Sequence, residues 1–553
     1  MTELKSLLPS LMLALALGGL AHGALAGVMR PVPDDPVRID SGLLAGTLIG
    51  HGVKAYYGIP FAAPPVRQNR WRAPQPVKPW QGIYTADTKR PSCMQPMRAA
   101  DINHYFGAQS ISEDCLYLNV WAPAEARPGA NLPVVVWIFG GAFAIGSANM
   151  PVYSGAHLAH HGVIYVAANY RVGVFGFLAL ARLTAESPHH ASGNWGLLDQ
   201  IAALKWVQRN IRAFGGDPGN VTLVGQSAGS MSINLLQASP LTRGLFERAI
   251  GLSGSSLVGS PELATPSRQQ AQAQGLKLMR ALHATGLAQM RGLAADQVLA
   301  AAQRAHFRAR PDVDGYVLPQ SPQQIFEEGK EQQIPILVGS TNNDLGTGIA
   351  LLRAATPQQY RAAARRMFGA STRTFLDVWP ARSEAQVRRQ SLAVSRDSGM
   401  GLAALGWATL QAKTAQAPAY LYLFDHVEPF APGVTFADLP DPAEAGAYHF
   451  SDVAYWLGTL NTYNLFRITR DWKPADIALS REMQDVILAF AKAGMPDTPA
   501  VRFRRFDPAD PYRTILGVPV RLQKLNARGI AFLLQHPPAW PRPPVTKKPK
   551  QMY

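Results

Sequence analysis

Apolar positions recur at every second residue along VRIDSGLLAGTLIGHGVKAYYG (37–58), with glycines between them, which predicts a β-hairpin. A Pro-rich, irregular stretch follows at 60–80. Beyond it the apolar runs become continuous. CLYLNVWA (115–122), LPVVVWIFG (132–140) and GVIYVAANYR (162–171) have no regular polar face, the pattern of strands buried on both sides. Leu197 to Phe214 switches to helical spacing, and the short run VTLVG (221–225) returns to strand. IPILVGS (334–340) and AYLYLFDH (419–426) read as later strands of the same sheet. The segment between them, 350–415, is rich in Ala and Arg at helical spacing and predicts a helical excursion covering one end of the sheet. Strands alternating with helices argue for an α/β fold, a parallel sheet flanked by helices. No internal repeat is present.

Both ends depart from this pattern. Lys5 precedes an apolar run from Leu7 to Leu20, and Ala24-Leu25-Ala26 supplies small residues where a signal peptidase reads, so 1–26 is expected to be an export signal cleaved after Ala26. The run is about 14 residues, short of the roughly 20 needed to span a bilayer, and no later stretch is long and apolar enough. The expected localisation is periplasmic or secreted. Residues 27–536 read as one domain, and the Pro- and Lys-rich tail 537–553 as disordered.

Charge narrows the partners. The net charge of +16 survives removal of 1–26, which deletes one Lys and one Glu. The basic residues are scattered, with clusters only at Arg308–Arg310, Arg365–Arg366 and Lys547–Lys550, and no aromatic residues interleave them, so no nucleic-acid surface is expected. A solvated basic surface on an exported protein fits better, one that can favour anionic surfaces or substrates electrostatically. Cys93 and Cys115 are the two cysteines. In an exported chain such a pair reads as a disulfide, two buried free thiols being the alternative. Nothing else stands at metal-ligand spacing, and neither metal nor organic cofactor is implied.

The stretch GQSAGSMS (225–232) sets Ser227 between glycines, after the strand 221–224 and before a helical pattern. A G-x-S-x-G pattern alone is weak, but at a strand-to-helix junction Gly225 and Gly229 permit the sharp turn that lifts a nucleophilic hydroxyl clear of the backbone. A hydroxyl is a poor nucleophile without a base and an orienting acid.

The run FGGDPGNVTLVGQSAGS (214–230) resembles the nucleophile signature of the type B carboxylesterase/lipase family, α/β-hydrolases that include carboxylesterases, cholinesterases and bile-salt-type lipases. YYGIPFAAPPVRQNRWRAPQP (56–76), SEDCLYLNVWAP (112–123), VVVWIFGGAFAIGS (134–147), NYRVGVFGFL (169–178), GNWGLLDQIAALKWVQRNI (193–211) and GAYHFSDVAYWLG (446–458) match the family in the same order. The resemblance spans about 37–518. It implies an α/β-hydrolase fold with cap excursions over an active-site gorge. It also implies His449 as the base and Asp344 as the acid, where the family usually has Glu followed by glycine and this chain has Asp followed by Leu345. Asp is one methylene shorter than Glu, so the loop must carry its backbone closer to His449. The oxyanion hole implied is the N–H groups of Gly141, Ala142 and Ala228, with Ala142 where a third glycine often stands. Ser253, in LSGS, matches a family serine that hydrogen-bonds near the triad.

The loop between the cysteines corresponds to the family's flap over the gorge. Here it lacks the Trp that holds choline in cholinesterases, and it is shorter and more polar than a lipase lid. Tyr105 and Phe106 are placed to line a hydrophobic entrance. The expected activity is hydrolysis of small to medium carboxylic esters through an acyl-enzyme. Lipase-like, amidase or acyltransferase chemistry on the same triad, or a non-catalytic binding role, are the alternatives.

Overall fold

The computed structural model describes residues 30–31, 36–96, 110–257, 264–344, 350–436 and 441–538. The segments 1–26 and 97–109, with Tyr105 and Phe106, lie outside these residues, as do Leu345 and the tail beyond 538.

One twelve-stranded sheet organises the chain. Its strands are β1 (Arg30–Pro31), β2 (Thr47–Ile49), β3 (Val53–Pro60), β4 (Tyr117–Pro123), β5 (Leu132–Ile138) and β6 (Ile164–Ala168). They continue as β7 (Gly216–Gln226), β8 (Arg248–Leu252), β9 (Ile336–Thr341), β10 (Ala419–Phe424), β11 (Tyr512–Leu516) and β12 (Arg521–Lys524). Across the sheet the order is β1-β2-β3-β4-β6-β5-β7-β8-β9-β10-β11-β12. From β6 through β11 every pairing is parallel, while both margins are antiparallel. Parallel strands need cover on both faces. Accordingly β6, β9 and β10 are buried at every position, which is why their sequences are continuous apolar runs.

The expected strands are present, with shifted limits. VTLVG proves to be the end of a longer strand that starts at Gly216. Helix α1 (Trp195–Asn210) ends four residues before Phe214, the last turn tightening into a 3₁₀ segment at Ile211–Phe214. Residues 37–58 form two hairpins rather than one. Val37–Ile39 pairs with Gly42–Ala45 in a separate three-stranded sheet, and β2 pairs with β3 in the large one. The break falls at Gly46, where a Cβ would lie 2.5 Å from the Tyr56 ring, so the chain crosses between sheets with no side chain to accommodate.

Helix α2 (Ala228–Ala238) follows β7. The excursion between β9 and β10 holds α3 (Pro357–Phe368), α4 (Thr372–Val378), α5 (Glu384–Arg396) and α6 (Met400–Thr414). Thr356 caps α3 and Ser383 caps α5, each accepting from the amide of a Gln three residues on. The inner faces of α3 and α5 bury Tyr360, Ala363, Phe368, Val387 and Val394 in a small core that Phe532 and Leu533 of the C-terminal helix Ala527–Gln535 complete. Helix α6 is apolar almost all round because it packs between that core and strands β9 and β10. Among the described residues no helix is long and apolar enough to cross a membrane.

Cys93 and Cys115 are joined as a disulfide. Just inside that loop, Gln95 clamps Gly146, donating to its carbonyl at 2.8 Å and accepting from its amide at 2.8 Å. The disulfide loop is thereby pinned to the segment that follows β5. In the chain-entropy account, closing a loop of this length is worth about 3 kcal/mol. Cys93→Ser/Cys115→Ser is therefore expected to lose about that much unfolding free energy in urea titrations under non-oxidising conditions. Unchanged stability would show that the covalent link is not what restrains the loop.

Candidate active site

The carboxyl ends of β5, β7 and β9 meet at one edge of the sheet, brought there by register. Ile138 pairs with Gly225, Gln226 with Leu252, and Leu252 with Gly339. Ser227 is the first residue beyond β7. It has φ +57° and ψ −123°, a conformation that L-residues rarely adopt and that costs on the order of 1–3 kcal/mol. The turn is held by the Ser227 amide, which donates to Leu252 O at 2.8 Å, and by Met231, whose amide donates to Ser227 O at 2.9 Å. Gly229 makes the geometry possible: a Cβ there would lie 2.0 Å from Ile138 O.

Gly140–Phe143 lies directly against this turn, since a Cβ on Gly140 would be 2.4 Å from Gln226 O and 3.0 Å from Ser227 Cβ. Gly141, Ala142 and Phe143 all have positive φ (+118°, +55° and +59°), a local backbone curl. The N–H groups of Gly141 and Ala142 donate to no acceptor among the described residues. Ala228 heads α2, where amides lack intrahelical partners. The three amides expected to receive an oxyanion thus border one serine.

The acid and base loops are laced to each other. Asn343 donates its backbone N–H to Ala447 O at 2.8 Å and its side-chain amide to Ala445 O at 2.7 Å, and it bridges to Tyr448. The next residues on either side, Asp344 and His449, consequently face each other. His449 Nδ1 lies 2.6 Å from Asp344 Oδ1, and Asp344 Oδ2 accepts from the Thr341 amide at 3.2 Å. Asp344 is buried and His449 half-buried. Tyr448 is anchored in turn by its hydroxyl, which donates to Glu428 at 2.9 Å, and Glu428 is held by the buried Arg470 at 2.6 Å.

The far ring nitrogen of His449 does not reach Ser227. Nε2 instead lies 3.2 Å from Gln226 Nε2, the amide of the residue just before the serine. With a proton on Nδ1 shared with Asp344, Nε2 keeps its lone pair and accepts from Gln226. That is the tautomer a general base requires, with the amide standing where the serine hydroxyl would donate. Ser253 sits at φ +57° beside the turn and donates its amide to Gly339 O at 2.8 Å, but its buried hydroxyl finds no hydrogen-bond partner among the described residues.

Sequence reasoning missed Gln226, Asn343 and Asp452. The first two adjoin the expected serine and acid, and adjacency was the only available signal. Asp452 is buried three residues after His449. Its Oδ2 accepts from Tyr422 Oη at 3.0 Å and Trp456 Nε1 at 3.3 Å, while Oδ1 has no partner among the described residues. Burial, reinforced by the nearby Asp344 charge, pushes its carboxyl up to about 7. Among the described residues no group of three or more His, Cys, Asp or Glu is arranged to hold a metal ion.

A family model described as "Carboxylesterase family" matches residues 33–528. The chain is 36% identical over 487 residues to the fumonisin B1 esterase of Sphingopyxis macrogoltabida, covering 86% of this chain and 85% of that protein. It is 35% identical over 466 residues to the para-nitrobenzyl esterase of Bacillus subtilis (strain 168), covering 82% and 89%. A solved PNB esterase structure superposes with a TM-score of 0.74 at 32% identity, covering 90% of this chain and 99% of that one.

Asp452 supplies a pH test that does not depend on these likenesses. Its folded pKa lies above the ordinary 3.8. The stability it contributes is therefore complete below about pH 4 and is lost as pH rises through 7. Urea titrations of wild type and Asp452→Asn are expected to diverge between pH 4.5 and 7.5, the variant gaining relative stability by up to roughly 4 kcal/mol. A difference independent of pH would show that Asp452 titrates as an ordinary carboxylate.

Proposed function

The chain belongs to the carboxylesterase family, with an α/β-hydrolase fold and the activity of a carboxylic ester hydrolase, and on that premise we propose that Ser227, His449 and Asp344 form its catalytic triad. The observation that carries the reading is the convergence of a positive-φ serine with a 2.6 Å histidine–carboxylate pair at one sheet edge.

In this reading Ser227 Oγ attacks the acyl carbon while His449 Nε2 takes the hydroxyl proton, the imidazole turning from Gln226 to the serine. Asp344 holds the tautomer and stabilises the imidazolium. The tetrahedral oxyanion receives the N–H groups of Gly141, Ala142 and Ala228, each such donor being worth about 10²–10³ in rate. Collapse breaks the ester C–O bond, and His449 returns its proton to the leaving alcohol. Water then repeats the sequence on the acyl-enzyme and releases the acid. The substrates are soluble carboxylic esters with small to medium acyl and alcohol groups. The enzyme is exported, to the periplasm or beyond, a reading supported by the leader-like 1–26 and compatible with the Cys93–Cys115 disulfide.

Ser227→Ala is expected to lower turnover of a short-chain nitrophenyl ester by several orders of magnitude with the thermal midpoint retained. A fluorophosphonate should add to Ser227 alone in peptide mass mapping, and an adduct elsewhere would refute the nucleophile. Asp344→Asn should cost much more rate than Asn343→Ala, which leaves the backbone hydrogen bond to Ala447 in place. Near-wild-type rates in Asp344→Asn would move the acid's role to another residue.

A further inference from the structure

Away from the proposed triad, a cavity of about 580 Å³ opens where three segments meet. The short helix Ala156–His160 and the residue after it supply His157, His160 and His161, which share one face at spacings of three and four. The helix Pro474–Ala493 supplies Ile477, Ser480, Arg481 and Gln484, again a single face. The 3₁₀ segment Leu460–Asn464 closes a third side with Asn461 and Thr462. None of Ser227, His449, Asp344 and the expected oxyanion residues lines the cavity. It adjoins the base loop instead: Tyr153, just before the wall at Ser154, packs edge-on against Phe450 with ring centres 6.1 Å apart.

The charge around this cavity has one sign. No carboxylate lines it. Glu482 and Asp485 stand on the next face of the helix, Asp476 is engaged by His426 at 2.6 Å, and Asp471 pairs with Lys473. Arg481 is exposed and has no carboxylate partner among the described residues. The histidines crowd one another: the His160 ring lies 5.3 Å from His161 and 6.2 Å from His51, in the turn between β2 and β3. Burial, and after it the neighbouring His51, His161 and His160, holds the His157 pKa below the usual 6.5. His160 Nδ1 lies 2.8 Å from the His51 carbonyl, which only accepts, so Nδ1 carries the proton and Nε2 is the nitrogen left to titrate. Among the described residues no three of these side chains are arranged to hold a metal ion. What the cluster lacks is a negative charge.

The floor has unmet hydrogen-bonding capacity. Gln484, 6% exposed, donates through Nε2 to Ser480 O at 3.1 Å, but its Oε1 has no partner among the described residues. Gly458 leaves that oxygen room, since a Cβ there would lie 2.5 Å from it. Trp472, which also lines the cavity, has an unpartnered Nε1 and a ring on which a planar group can stack.

We propose that this cavity is a second binding site, separate from the ester site, for a small organic oxyanion joined to a planar ring. Arg481 and the imidazoles take the anionic head, and Trp472 takes the ring. Histidine changes charge between pH 5 and 8, so binding strengthens as the pH falls and draws protons onto the cluster, as scattered surface arginines would not.

Calorimetric titration with benzenesulfonate tests this, because its charge is constant across that range. It should bind at one site per chain, about tenfold more tightly near pH 5.5 than near pH 7.5, with proton uptake read from buffers of different ionisation enthalpy. Benzoate and phenyl phosphate, titrated in parallel, distinguish carboxylate from phosphate heads on the same ring. Arg481→Gln should weaken binding about tenfold at both pH values, and combining His157→Gln, His160→Gln and His161→Gln should remove the pH dependence. Unchanged turnover of nitrophenyl butyrate reports that each variant is folded. Should the triple variant fold poorly, Arg481→Gln, at an exposed position, decides. Absence of binding by all three probes, equal binding at the two pH values, or binding that a folded variant leaves unmoved overturns the site.

Discussion

Between the carbonyl oxygen of Ile138 and the first turn of α2 there is no room for a methyl group, since a Cβ on Gly229 would come within 2.0 Å of that oxygen. This contact seats the helix on the end of β5 and brings the turn at Ser227 against the backbone of Gly140. A larger residue would push apart the elements that carry the proposed nucleophile and the proposed oxyanion donors. The strained φ of Ser227 persists because the parallel register of β5, β7 and β8 and the hydrogen bond from its amide to Leu252 O over-determine it.

The proposed acid and base are positioned by a different means. Neither sits on a strand; both are in loops that the backbone and side chain of Asn343 tie together directly. The shorter reach of Asp compared with Glu demands that the two backbones approach closely, and this tie brings them together. Tyr448, Glu428 and Arg470 then fix the base loop from behind through a buried, charge-assisted network. The serine is thus held by strand register, close packing and backbone hydrogen bonds, and the histidine by hydrogen bonds between loops.

What could be read from the sequence follows the same division. Continuous apolar runs such as IPILVGS and AYLYLFDH announce strands buried on both faces, and the structure has them within two residues of the expected limits at each end. The junction around Ser227 was legible because glycine spacing there reports a steric requirement. The hairpin at 37–58 was misjudged because alternation specifies strand character without saying which sheet a strand joins. Gln226 at the His449 ring, Asn343 between the loops and the unpartnered hydroxyl of Ser253 were invisible for a related reason: each depends on contacts between segments far apart in the chain.

The excursion leaves and rejoins the sheet at the same end, and its inner faces close on a core completed by Phe532 and Leu533 of the C-terminal helix. A segment anchored in this way can change length and surface with little effect on the sheet, because the entropy of closing a longer loop grows only logarithmically. A different helical insert can therefore be carried between β9 and β10 while the parallel register of the two strands is kept.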